Sequence, residues 1–388
     1  MTLKRIVALT LSAVMCLGCL TACDGSDGKD EKIKKIRDIS AKELVSEIKI
    51  GWNLGNTLDA DAKDGLAAEV SWGNPTTRKE MFTFVKEQGF NLVRVPVSWN
   101  KHMDENYKVD AKWMKRVREV VDYGIDQGMF VILDTHHEDW YYPTEENKED
   151  DKKQLKALWE QIAEEFKGYD EHLIFEGLNE PRLRDTSLEW TAGTPAAREI
   201  INEYEKVFYD TVRKSGGNNP KRHLLLTGYC ASNVASALQA IEIPKDDDKI
   251  IVSVHEYLPF DFANNENGTT EYNPDSDNPI FNSLFMNLES LFTSIDIPVI
   301  ITECGALAKM TEDGGYNVDE RIECMQYLFT CAKEAGIPCV LWDNGSFLGN
   351  NVEHFGLMNR DNPPSWREPE LIEAIMDVVN GKTEAKKE

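Results

Sequence analysis

Two glutamates stand after apolar runs in positions suited to bond cleavage. Glu180 closes Gly177-Leu178-Asn179-Glu180-Pro181, and Glu303 sits in Ile301-Thr302-Glu303-Cys304-Gly305. Two carboxyl groups flanking one bond are what glycosidic cleavage requires. One protonates the departing oxygen; the other attacks the anomeric carbon or activates water. Like charge between them raises the pKa of one, which keeps it protonated and useful as an acid. Other binding or ionisable residues end neighbouring apolar runs. Arg94 lies within Leu92-Val93-Arg94-Val95-Pro96, and His136 and His137 close Asp134-Thr135-His136-His137. His255 and Tyr257 form His255-Glu256-Tyr257, and Trp342 belongs to Val340-Leu341-Trp342-Asp343. Each alone has an ordinary structural explanation: an arginine neutralising a core carboxylate, a histidine satisfied by a loop, a packed tryptophan. Their coincidence at successive strand ends is what points to a site. Asn179 is placed to hydrogen-bond a sugar hydroxyl near the reacting carbon, and Tyr257 to donate to Glu303 and keep it ionised.

Such groups meet only if the strands aim them at one point. Strand patterns fall at 48–53, 92–97, 130–134, 173–178, 223–227, 250–255, 298–302 and 339–343. Amphipathic stretches alternate with them at 113–127, 152–166 and 321–335, where apolar residues recur at helical spacing. Three helices end in similar turns that feed a strand, at Gly89, Gly128 and Gly336. A helix after each strand means parallel pairing, and closure gives an α/β fold of the (β/α)₈ TIM-barrel type, with chemistry at the C-terminal strand ends. An open doubly wound sheet is the competing architecture, but no GxGxxG or phosphate loop follows any strand. No linker interrupts the chain, so residues 40–380 are read as a single catalytic domain. The long polar loop from Leu258 to Pro279 follows the sixth strand and lies beside the expected cleft.

These residues carry a resemblance. Asn179-Glu180-Pro181 after an apolar strand, with Glu303 after the seventh, resembles clan A of the glycoside hydrolases. Arg94, His136, Asn179, Glu180, His255, Tyr257, Glu303 and Trp342 together are similar to glycoside hydrolase family 5. Ile50-Gly51-Trp52-Asn53-Leu54-Gly55-Asn56-Thr57-Leu58-Asp59 and Trp72-Gly73-Asn74-Pro75-Thr76 resemble its subfamily 4. The resemblance implies a retaining endo-β-1,4-glucanase with Glu180 as acid/base and Glu303 as nucleophile. Its expected substrates are cellulose derivatives, mixed-linkage β-glucan and xyloglucan. A mannanase or xylanase on the same barrel is the alternative, differing at C2 and C6 of the sugar. A surface glycan receptor without activity is another, but binding alone needs neither carboxylate. Trp342 is the best candidate for stacking on a sugar ring. Trp52, Trp72, Trp99 and Trp140 are placed either in the groove or in the core.

Asp plus Glu number 68 against 43 Lys plus Arg, a formal charge of −25. Such a surface repels phosphate backbones and polyanions, so nucleic acid is excluded as a partner and a neutral β-glucan is favoured. His136, His137, His255, Glu180 and Glu303 supply the donor types of a metal centre on a barrel, which is the competing reading. No His-x-His follows the first strand, and adjacent histidines on a strand face opposite ways. Neither metal nor cofactor is expected, and the protein is expected to act as a monomer.

Lys4 and Arg5 precede an apolar run from Ile6 to Leu20, which ends in Leu20-Thr21-Ala22-Cys23. Residues 1–22 read as a secretory signal of lipoprotein type, with Cys23 lipidated. Membrane contact would then come only through that anchor, on an exported, cell-surface protein. Residues 23–39 read as a polar tether and 381–388 as a charged tail. Five cysteines remain beyond the signal region, an odd number without CxxC spacing, and read as small core hydrophobes.

Overall fold

Inward and outward side chains alternate along each strand, and that alternation builds the barrel. In a computed structural model, which describes residues 34–347 and 353–383, eight parallel strands close on themselves in sequence order. They are β1 (Gly51–Asn53), β2 (Leu92–Val95), β3 (Phe130–Leu133), β4 (Leu173–Glu176), β5 (Leu224–Thr227), β6 (Ile250–Glu256), β7 (Val299–Cys304) and β8 (Cys339–Leu341). The ring is sealed where Gly51 of β1 pairs with Val340 of β8. Each strand lies inside the run expected for it or within two residues of its ends.

Leu92, Ile132, Ile174, Leu225, Ile251, Ile300 and Val340 fill the lower interior. The helix Ala41–Glu47 plugs that end with Ala41, Leu44 and Val45, and starts from a capping box between Ser40 and Glu43. One inward step higher the layer turns polar: Asn53, Arg94, Glu176, Ser253 and Thr302, all fully buried. The intervening residues, such as Val93, Val95, Val131, Leu133, Phe175 and Val252, face the surrounding helices and join the main core.

The helices follow their apolar faces. Ala111–Ile125 is capped by Asp110 and buries Trp113, Val117, Val120 and Val121. Lys148–Glu165 begins four residues before its expected start, because Glu149, Asp150 and Asp151 favour its positive N-terminus. Val318–Ala335 stops at Gly336, whose φ of 66° is the left-handed stop read from sequence.

Two expectations are corrected. The loop after β6 ends earlier than Pro279, because Asn273 caps a helix that starts at Pro274. What remains of the loop is clasped by Lys309, whose ammonium donates to the carbonyls of Asp261 (2.8 Å) and Thr269 (2.9 Å). Residues 34–39, read as the end of a tether, are instead bound to the closed end of the barrel. Arg37 bridges Glu47 and Glu171, and the Ile39 carbonyl accepts from His223 at 3.0 Å. The signal segment, Cys23, the tether up to residue 33 and the tail beyond residue 383 lie outside the described residues. Cys230, Cys304, Cys324, Cys331 and Cys339 are buried, free thiols.

Candidate active site

The polar layer culminates at the C-terminal strand ends, where the barrel brings the expected residues together. Arg94 projects inward from β2, fully buried. Its Nε donates to Glu176 (2.6 Å) and its Nη1 to Glu303 (2.6 Å) and Asn53 (3.1 Å). Its Nη2 meets both Asn179 Oδ1 and Asp134 Oδ2 at 2.8 Å. Burial opposes the guanidinium charge, but Glu176, Asp134 and Glu303 outweigh it and Arg94 stays protonated. The amide oxygen of Asn179 is taken by Arg94, which leaves its NH₂ for a ligand.

β6 and β7 shift register between Val254 and His255, so His255 lies opposite Glu303. Irregularities of this kind re-aim side chains beside active sites. His255 Nδ1 is 2.8 Å from Glu180 Oε1 and 3.4 Å from Glu303 Oε2. One oxygen from each carboxylate and an imidazole nitrogen of His255 all lie within 4.8 Å of one another. Oxygens this close fit the short separation of about 5–5.5 Å of a retaining pair better than the about 6.5–9.5 Å gap that an inverting pair keeps for its water. Tyr257 donates to Glu303 Oε2 at 2.9 Å. Burial holds the Tyr257 hydroxyl well above its ordinary pKa, so it remains a donor.

The carboxylates differ electrostatically. Burial pulls Glu180 upward, but the hydrogen bond and charge of His255 overcome it and hold its pKa below the ordinary value. Glu303 is raised, chiefly by burial, against the pull of His255, Arg94 and Tyr257. His255 loses by burial but gains more from Glu303 and Glu180, and is raised above 6.5. The carboxylate that is raised, in part by its neighbour's charge, is Glu303, while Glu180 is lowered. His255, one hydrogen bond from Glu180, is shifted toward its protonated form.

His136 Nδ1 is bound to Asp134 Oδ2 at 2.7 Å. Burial, aided by Arg94, depresses its pKa well below 6.5, so it is neutral. His137 stands edge-on to it and is pushed down to about 3, first by burial. Trp342, 8% exposed, lies parallel to His136, with ring planes 8° apart. The proximity of Asp59 to the two histidines, and of His255 to the two glutamates, meets a geometric criterion for metal ligation. The donors are otherwise engaged: Arg94 already neutralises Glu303, and Asp134 holds His136 Nδ1.

The aromatics divide. Trp52 and Trp99 are fully buried, their Nε1 atoms bound to Asp343 and to the Asp134 carbonyl, and belong to the core. Trp72 is half-buried beside His137, with ring centroids 5.5 Å apart, and Trp140 is half-buried with Nε1 on Glu138 (2.6 Å).

Comparison with known proteins places this geometry. The cellulase family of glycosyl hydrolases, family 5, matches residues 58–348. The chain belongs to glycosyl hydrolase family 5. Endoglucanase B of Ruminococcus albus is 52% identical over 340 residues, which span 87% of this chain and 80% of that protein. A GH5-4 broad-specificity endoglucanase from Ruminococcus champanellensis, solved with cellotriose, is 42% identical with a TM-score of 0.83, covering 88% of this chain and all of that one. A GH5 xyloglucan-specific endo-β-1,4-glucanase from a metagenomic library, also with cellotriose, is 38% identical with a TM-score of 0.81, covering 88% of this chain and 98% of that one.

The fold adds neighbours to this family 5 site that sequence reasoning passed over. Glu176, a charged residue inside an otherwise apolar strand, links Arg94 to Ser253 Oγ (2.6 Å). Arg182 donates to the Glu180 carbonyl (2.9 Å) and approaches Glu180 Oε2 (3.4 Å). Its guanidinium lies 4.1 Å from the ring centre of Trp190, which is 65% exposed. Nothing periodic marks Trp190 in the sequence; only the loop after β4 brings it onto Arg182, the residue that contacts Glu180.

Proposed function

We propose that this protein hydrolyses internal β-1,4-glucosidic bonds of neutral β-glucans with retention of configuration. The observation that carries the reading is the spacing and asymmetric support of the glutamates. Arg94 and Tyr257 orient Glu303 for attack, while His255 and Arg182 attend Glu180. Glu303 attacks the anomeric carbon as the glycosidic C–O bond breaks and Glu180 protonates the departing oxygen, drawing on the proton held at His255. Glu180 then takes a proton from water, which attacks the glycosyl–Glu303 ester and frees the carboxylate. No group beyond these side chains and water is consumed. Trp342 forms the floor for the reacting sugar, with His136, His137 and Asn179 beside it. The exposed Trp190 offers a ring face on the side of the acid.

Substrate class rests on the charge of −25 and on relatives that bear the names endoglucanase and xyloglucan-specific endo-β-1,4-glucanase. On carboxymethylcellulose, lichenan and xyloglucan, viscosity should fall well before reducing ends accumulate, and the first product seen by NMR should be the β-anomer. Activity confined to mannan or xylan would reject the glucan assignment and leave the carboxylate mechanism intact.

The same reading includes export and anchoring. The mature chain begins at lipidated Cys23 and works as a monomer at the cell surface. Mass spectrometry of membrane-extracted protein should find a diacylglyceryl Cys23 at the N-terminus. An unmodified N-terminus elsewhere, with all protein in the medium, rejects the anchor.

A further inference from the structure

The stretches Ile50–Asp59 and Trp72–Thr76 contribute little to the carboxylates directly, yet they converge beneath Trp342. A Cβ added to Gly55 would stand 2.8 Å from Trp342 Cη2 and 2.9 Å from Cζ2. Its φ lies outside the left-handed region, so what demands glycine is the close approach of the indole together with that of the Asp343 carbonyl oxygen, which the added Cβ would meet at 2.9 Å. The Gly55 backbone is fixed on both sides. Its N–H donates to the Asp343 carbonyl (3.1 Å), and its own carbonyl accepts from Arg360 Nη1 (2.9 Å).

Asn74 completes the arrangement. It is buried, and its Nδ2 donates to the carbonyls of Asn56 (2.8 Å) and Asn344 (2.9 Å), with a longer contact to Gly55 (3.4 Å). One amide thus ties the loop after β1 to the loop after β8, on either side of Trp342. Gly345 leaves room for it: a Cβ there would fall 2.0 Å from Asn74 Oδ1. From the remaining side Leu307 and Phe355 pack on the indole.

We propose that Gly55 and Asn74 are positioning residues that set the height and tilt of Trp342, and through it the placement of the sugar whose bond is cleaved. This rests on the reading of Trp342 as the sugar-ring floor. Ordinary carbon–carbon contacts fall at about 3.5–4.0 Å, so Gly55→Ala pushes Trp342, and the Asp343 carbonyl next to it in the chain, outward by as much as about 1 Å. Displacements of that size cost about 100-fold where they misplace reacting groups.

The test is a double-mutant cycle on soluble β-glucan and on an aryl β-cellobioside, with Gly55→Ala, Asn74→Ser, Trp342→Ala and the two pairs with Trp342→Ala. Gly55→Ala should lower kcat by about 10- to 100-fold, and Asn74→Ser by a smaller factor in the same direction. In the Trp342→Ala background each should change kcat by less than about threefold, because no ring remains to be displaced. A purely structural role would give the same loss in both backgrounds, and that additivity overturns the proposal. So does wild-type kcat in Gly55→Ala. Should Gly55→Ala fail to fold, the Asn74→Ser cycle decides by the same criterion. Wild-type protein inactive on every β-glucan overturns the functional reading, and this inference with it.

Discussion

Glu303→Ala should lower β-glucan hydrolysis by about 10⁴-fold or more, the scale seen when a covalent nucleophile is removed, while the barrel stays folded. Arg94 loses one carboxylate but keeps Glu176 and Asp134, so its buried charge remains compensated. Azide, small enough for the vacated space, should partly restore turnover on an activated glycoside and yield a glycosyl azide of inverted configuration. Glu180→Ala should fail differently. It lacks the acid of the first step, so substrates with good leaving groups should be cleaved far better than polymer. The pH profile separates the roles further. Glu303 must be ionised to attack, and burial raises its pKa, so the acid limb of the wild-type profile should lie above 4.5. His255 is raised above its ordinary value, so the proton needed for leaving-group assistance is retained to higher pH and lost only as pH climbs through that raised pKa. The alkaline limb should therefore disappear in Glu180→Ala when assayed on an activated substrate. Near wild-type polymer hydrolysis by either variant would dismiss the assignment.

Arg94→Met should be costly to stability as well as to activity. Removing one partner of a buried charge network costs about 3–5 kcal/mol, because the remaining charges lose compensation without regaining water. Here Glu176, Asp134 and Glu303 would face one another without the guanidinium. On a barrel of this size the loss corresponds to a fall of about 4–7 °C in Tm. The deficit should shrink as pH falls. Arg94 holds down the pKa of Asp134 and Glu303, so without it both rise further, charge repulsion destabilises at neutral pH and is relieved on protonation. Arg94→Lys should recover little, since an ammonium cannot span Glu176, Glu303 and Asn179 at once. Thermal unfolding measured between pH 4 and 8 checks this. A variant with wild-type Tm throughout would show that the network orients side chains without stabilising the fold.

The strands were legible because their signals are local. An inward side chain recurs every second residue, and each apolar run is bounded by turn residues that the fold uses as such, Gly336 among them. Helix faces were legible for the same reason: Trp113, Val117, Val120 and Val121 mark one buried stripe without reference to anything distant. Glu180, Glu303, Arg94, His136, Asn179, His255, Tyr257 and Trp342 could be named because each ends or occupies such a run, and a barrel sends those ends to one mouth. Where periodicity faded, the reading blurred. The helix at Pro274 begins inside what reads as loop, because its start depends on the Asn273 cap rather than on an apolar stripe.

What the tertiary structure decided are the relations between residues far apart in the chain. The shift of register between Val254 and His255 sets His255 against Glu303, and no spacing within either strand encodes it. Trp52 and Trp99 went to the core while Trp72 and Trp140 stayed half-exposed, a division made by which neighbours reach each indole. The protonation pattern was decided in the same way. Sequence alone placed two carboxylates in one site. That His255 favours its protonated form follows from a 2.8 Å contact to Glu180 and a 3.4 Å contact to Glu303, which together outweigh burial. Residue types and their spacing determine which chemistry is available; distances and burial, products of the whole fold, determine which group carries the charge.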